Sequence, residues 1–87
     1  MDRISLHVLT SNGSVLERKV EAINLPTSFG SLGVLQGHAP MLCNLEPGVV
    51  RLRCQEGMIR LRIGGGIASV ENNEVNLLVS SGDILED

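Results

Sequence analysis

A chain of 87 residues with a formal net charge of −3 allows one domain with one modest core, since a fold this small buries only about 60% of the surface its unfolded chain exposes. Apolar residues make up 43% of the sequence, yet Phe29 is its sole aromatic, so the core falls to Val, Ile, Leu and Met. Without aromatic stacking platforms, and with 7 basic against 10 acidic residues, the chain does not read as a nucleic-acid binder.

The opening MDRISLHVLT carries charge where a secretory leader has an apolar run, and it lacks the arginine-rich bias of a transit peptide; a cytoplasmic or equivalent location is expected. Period-two alternation starts at once, with Ile4, Leu6 and Val8 on one face and Arg3, Ser5 and His7 on the other. Asn12-Gly13 suits a two-residue hairpin turn, and Ser14 to Leu25 reads as one long returning strand ended by Pro26. Between Glu21 and Glu46 no residue is charged, but Pro26, Pro40 and scattered glycines interrupt the stretch. It therefore reads as an uncharged surface region with brief strands over Thr27 to Pro40, not as a membrane span.

Glu46-Pro47-Gly48 is the next turn signal, followed by Val50, Leu52 and Cys54 on one face and Arg51 and Arg53 on the other. A hairpin turn at Glu56-Gly57 precedes Ile59, Leu61 and Ile63, which alternate with Arg60 and Arg62. Gly64-Gly65-Gly66 bends or bulges the chain before Ile67 to Glu71, Asn72-Asn73 turns it again, and Val75, Leu77 and Val79 form the last inward row. The pattern predicts an all-β fold, a flattened antiparallel β-sandwich or barrel of about 8–10 short strands.

Few residues invite chemistry. His38 and Cys43 would make a base and a nucleophile, but no third group with a recognisable signature orients them, so a small cysteine hydrolase is the weakest of the readings. Cys43 and Cys54 lack the paired spacing of a zinc or redox site and read as small buried thiols. The run IGGGIAS resembles a phosphate loop only superficially, because a strand rather than a helix N-terminus is expected to follow it. A turn at Glu56-Gly57 would set Arg53 opposite Arg60 and Arg51 opposite Arg62, a crowding that calls for acidic company from a partner or an anionic surface, or else a face solvated by salt. Phe29, alone among small residues, is either an interface anchor or a core plug.

The segment GSLGVLQGHAPMLCNLEPGVVRLR, Gly30 to Arg53, resembles the N-terminal domain of the epsilon subunit of F-type ATP synthases. Gly30, Leu32, Gly33, Val34, Gly37, His38, Ala39, Pro40, Leu42, Leu45, Pro47 and Gly48 match that family's G-E-L-G-(V/I)-x-P-G-H-A-P-L-L-T-x-L-x-P-G in unbroken register. ISLHVLTSNGSVLERKVEAINLP and GGGIASVENNEVNLLVSSGD extend the resemblance over nearly the whole chain, while Ser31, Gln36 and Ser80-Ser81-Gly82 depart from it. The resemblance implies a non-catalytic rotor subunit of the central stalk, without cofactor or metal, that links gamma to the membrane c-ring and couples ion flow to ATP synthesis. It would sit peripherally at the cytoplasmic face of a bacterial inner membrane or an equivalent coupling membrane. By position, Ser28, Phe29, Ser31, Leu32, Val34 and Leu35 would face the c-ring, and His38, Leu42 and Cys43 the gamma subunit. Arg51, Arg53, Arg60 and Arg62 remain as a patch for an anionic partner, and in the alternative reading they make the chain a free-standing adaptor for an acidic protein or anionic surface. The expected division is a β-domain over 1–82 and a short tail over 83–87, where Asp83 and Glu86 have the look of a helix start. Family members usually continue there into a helical hairpin that brakes hydrolysis, so the domain alone is expected to strengthen coupling without imposing that brake.

Overall fold

A computed structural model describes residues 3–85. Ten strands fill that span: β1 (Ile4–Thr10), β2 (Gly13–Val20), β3 (Ala22–Thr27), β4 (Gly30–Leu35), β5 (Met41–Leu45), β6 (Gly48–Cys54), β7 (Gly57–Ile63), β8 (Gly66–Glu71), β9 (Glu74–Val79) and β10 (Gly82–Leu85). They form two five-stranded sheets, ordered β2-β1-β9-β8-β5 and β10-β7-β6-β3-β4. The all-β sandwich expected from the alternation is thus present, and every pairing but one is antiparallel. The exception is β1 beside β9, which run parallel from Ser5↔Glu74 to Leu9↔Leu78.

The alternating residues supply the core. Leu6, Leu25, Leu52, Leu61 and Leu77 are fully buried between the sheets with Ile4, Ile23 and a set of valines, and among the described residues no polar or charged side chain is buried. Each such leucine contributes on the order of 1.5–3 kcal/mol by leaving water. Small branched side chains on a period of two can fill the gap between two sheets without any aromatic ring.

The long returning strand expected over Ser14 to Leu25 is instead broken at Glu21. β2 belongs to the first sheet and β3 to the second, and the Glu21 amide donates to the Arg53 carbonyl across that corner. The inward positions change parity there, from Val20 to Ile23 and Leu25, as a switch of sheet demands. Pro26 does not end the strand. β6 pairs with β3 only at Ala22, Ile23 and Asn24, so at Pro26 it requires no N–H from β3.

The Asn72-Asn73 turn lies where expected, between Glu71 and Glu74, but two other hairpin turns are displaced by one residue from their expected sites. Thr10 pairs with Gly13 and Cys54 with Gly57, so the loops are Ser11-Asn12 and Gln55-Glu56. In each case the glycine opens the returning strand at positive φ, 116° and 135°, instead of sitting inside the turn. The helix start expected at Asp83 is a strand: β10 pairs antiparallel with β7, Asp83 opposite Arg62. Glu86 lies outside the described residues.

Gly64, Gly65 and Gly66 carry the chain from β7 in the second sheet to β8 in the first, which confirms the expected bend. Gly66 has φ 155°, and a Cβ there would collide with the Leu78 carbonyl oxygen of β9. Gly66→Ala should therefore destabilise the fold by about 2 kcal/mol or more through combined clash and backbone strain. Chemical denaturation checks this; a cost below about 0.5 kcal/mol would show that β9 yields freely at this point.

Candidate interaction site

The pairing of β3 with β4, from Ala22↔Leu35 to Thr27↔Gly30, makes a hairpin whose turn is Ser28-Phe29. Thr27 Oγ1 donates to the Gly30 carbonyl at 2.7 Å and accepts from the Phe29 amide at 3.2 Å, so the turn is held by its own side chain. Phe29 projects from the tip and is 99% exposed. Water contacts nearly all of the chain's sole aromatic ring, which excludes it as a core plug and leaves the tip as an apolar knob.

Below the tip the sandwich is open along one side. β4 ends the second sheet and β5 ends the first, and between these edges lies a cavity of about 440 Å³ lined by Phe29, Ser31, Leu32, Met41, Leu42 and Cys43 among others, none of them charged. The opposite side is closed. Val15 lies against Gly82, and the Arg18 guanidinium spans the sheets, donating to Cys54 Sγ at 3.2 Å and to Glu56 Oε1 at 2.7 Å.

The expected site residues therefore divide by location. Ser28 and Phe29 form the tip, and Ser31 and Leu32 line the seam with Leu42 and Cys43, although the last two were expected at a separate interface. Leu42 is 75% exposed. Val34 is corrected: at 1% exposure it is a core residue that supports β4 from within and presents no surface. Leu35 is exposed but lines a different depression, on the outer face of the second sheet. His38 lies in the β4–β5 connection, at the opposite end of the sandwich from Phe29. That loop is tied down by its own Leu35 carbonyl, 3.1 Å from the His38 amide, and by Asn73 Oδ1, 2.7 Å from the Gly37 amide.

Among the described residues no hydrogen bond joins His38 to Cys43. His38 Nδ1 is 2.7 Å from the Ala39 carbonyl, which can only accept, so that nitrogen carries the proton. Burial pushes the Cys43 thiol above its ordinary pKa, which lowers its thiolate fraction at neutral pH. Cys54 is buried and, like Cys43, a free thiol. Among the described residues no group of His, Cys, Asp and Glu could hold a metal ion, and no helix is long and apolar enough to cross a membrane. The glycine run leads into β8, with no helix N-terminus for a phosphate.

The arginine register also needs correcting. Because the turn is Gln55-Glu56, Arg51 faces Arg60, Arg53 faces Met58 and Arg62 faces Val49, leaving one directly opposed like-charge pair in place of two. All four remain on the outer face of the second sheet.

The beta-sandwich domain of the ATP synthase delta/epsilon chain, as a family, matches residues 3–82. The chain belongs to this family. It is 42% identical over 81 residues to the ATP synthase epsilon chain of Prochloron didemni, covering 93% of this chain and 60% of the relative. It is 39% identical over 77 residues to the chloroplastic epsilon chain of Cyanidioschyzon merolae, covering 88% and 59%. The chain thus spans about three-fifths of the length of these curated relatives. Its fold superposes with a TM-score of 0.89 and 26% identity on a chain in the Euglena gracilis mitochondrial ATP synthase OSCP/F1/c-ring structure, covering 97% of this chain and 54% of that one. A chain of the Tetrahymena thermophila central stalk/c-ring structure shares the fold alone, with a TM-score of 0.79 and 18% identity over 93% of this chain and 66% of that one.

Two outcomes are expected of this surface. Phe29→Asp should change the unfolding free energy by no more than about 0.5 kcal/mol, whereas Leu32→Asp, at a position packed against the core, should cost about 1–3 kcal/mol. Equal costs would mean that the tip is not free. Cys43 should also react with iodoacetamide more slowly than free glutathione at neutral pH and gain rate as pH rises, because its raised pKa delays thiolate formation. A rate matching glutathione would exclude the burial seen here.

Proposed function

We infer that the chain serves as a non-catalytic central-stalk element of a rotary ATP synthase, joining the gamma subunit to the c-ring and so coupling ion flow to ATP synthesis. The observation that carries this reading is the family match over residues 3–82, which takes in almost all of the two sheets. A TM-score of 0.89 to a chain from an F1/c-ring assembly is consistent with it. The chain associates peripherally with a coupling membrane, through the complex; the cytoplasmic face of a bacterial inner membrane is one such place, and a chloroplastic relative points to another.

Geometry gives the interfaces a physical basis. The Ser28-Phe29 tip, with Ser31 and Leu32 on the strand behind it, is an uncharged projection, while Leu35 lies at the opposite end of β4, on the outer face of the sheet. Such a surface approaches the ring without a charge-desolvation penalty. Leu42 and Cys43 on β5, with His38 in the β4–β5 connection at the opposite end of the sandwich from Phe29, face gamma. A rigid hairpin suits a coupling element, since torque is lost wherever a contact yields.

Co-expression with gamma should give a stoichiometric complex that survives size-exclusion chromatography. In complexes that carry the ring, Phe29→Asp should release the ring at least about tenfold more readily while gamma binding persists. A folded chain that fails to bind gamma would refute the stalk assignment, and unchanged ring attachment in Phe29→Asp would refute the role of the tip.

A further inference from the structure

The outer face of the second sheet carries a feature that the stalk reading does not use. Cross-strand registers place Leu35, Ala22, Arg53 and Met58 in one row over β4, β3, β6 and β7, and Gly33, Asn24, Arg51 and Arg60 in the next. Ala22 and Gly33 are too small to fill their places. Their rows sink into an open depression of about 480 Å³, rimmed by Arg51, Arg53, Leu35 and Met58. Leu35 and Met58 are 63% and 59% exposed, so two apolar side chains and two arginines border one hollow.

Charge is concentrated here. Arg51, Arg53, Arg60 and Arg62 are four of the chain's seven basic residues, which leaves three basic against ten acidic for the remainder. Among the described residues no hydrogen bond or ion pair engages the side chain of Arg51 or Arg53, whereas His7 pairs with Glu17 and Arg18 with Glu56. Asp83 stands opposite Arg62, on the strands farther from the hollow. Arg51 faces Arg60 directly, which concentrates positive charge beside the hollow.

We propose that this depression is a docking site for an acidic segment of a partner protein, seating one leucine- or phenylalanine-sized side chain over Ala22 and Gly33 and setting carboxylates on Arg51 and Arg53. Charge complementarity selects an anionic partner, and the hollow selects a peptide. A membrane surface is met by protruding cations on a flat or convex face, whereas here the arginines border a recess that Leu35 and Met58 flank with apolar side chains. The site shares Ser31 with the seam, but Ala22, Gly33, Arg51 and Arg53, which would hold the peptide, belong to neither the tip nor the seam, so it does not depend on the stalk assignment.

Fluorescence anisotropy of a short labelled peptide of glutamates and leucines, titrated with the full chain, tests this. Binding should saturate, weaken with salt, and fall at least about tenfold when glutamine replaces the peptide's glutamates. The Arg51→Gln, Arg53→Gln double variant should lose about as much. Gly33→Leu supplies an independent arm: nothing lies within 4 Å of a Cβ at Gly33, so this variant folds, fills the hollow and loses binding with both arginines intact. Absence of binding by the unaltered chain, or binding indifferent to both variants, would overturn the proposal. Stronger binding to phosphatidylserine vesicles that survives Gly33→Leu would overturn it in favour of a lipid surface.

Discussion

The arrangement depends on one crossing of backbone over backbone at Gly64-Gly65-Gly66. The Gly64 amide donates to the Ser81 carbonyl, and the Ser80 amide donates to the Gly65 carbonyl. A side chain on Gly65 would press on the Leu45 carbonyl and Pro47, and one on Gly66 would strike β9. Three connections between the sheets, β5 to β6, β7 to β8 and β9 to β10, therefore meet at one end of the sandwich. These backbone groups can approach one another closely because three successive residues lack side chains. With these connections in place, β8 and β9 lie inside the first sheet and β6 and β7 inside the second, and the remaining strands fall towards the edges.

The two long sides of the sandwich are then unequal. Between β2 and β10 the gap is closed by Val15 against Gly82 and by the Arg18 guanidinium reaching Cys54 and Glu56. Between β4 and β5 it stays open and uncharged. Unpaired strand edges without charge invite association, and a protein that keeps such a side open has a use for it. For the proposed stalk role the closed side would supply rigidity and the open side contact. The hairpin tip continues the open side outward and ends in Phe29, the chain's largest apolar ring.

Charge follows a separate division. The tip and seam are neutral, whereas the outer face of β6 and β7 holds most of the chain's cations. The two surfaces thus differ in the force that would hold a partner, apolar burial on one and attraction that salt weakens on the other.

Much of this was legible from residue order. Strict alternation in β1, β6, β7 and β9 identified the inward rows, and the glycine triplet announced the crossing. TSNG and TSFG, at Thr10 and Thr27, are near repeats that form the same turn. In both, the threonine hydroxyl donates to the carbonyl of the glycine and accepts an amide within the turn. That pattern signals the β3–β4 hairpin, which the uncharged composition of the region obscured. The parity slip between Val20 and Ile23 likewise marks the corner at Glu21. What residue order by itself determined is which side chains face inward and where the chain can reverse, because these rest on local geometry. Only the tertiary structure decided which strands become neighbours: the parallel β1–β9 pair, Arg51 opposite Arg60, Val34 buried while Phe29 stands in water, and tip and seam residues sharing one groove. A period of two names the face of a strand but not its partner, and partners are chosen by long-range closure of the two sheets over a common core.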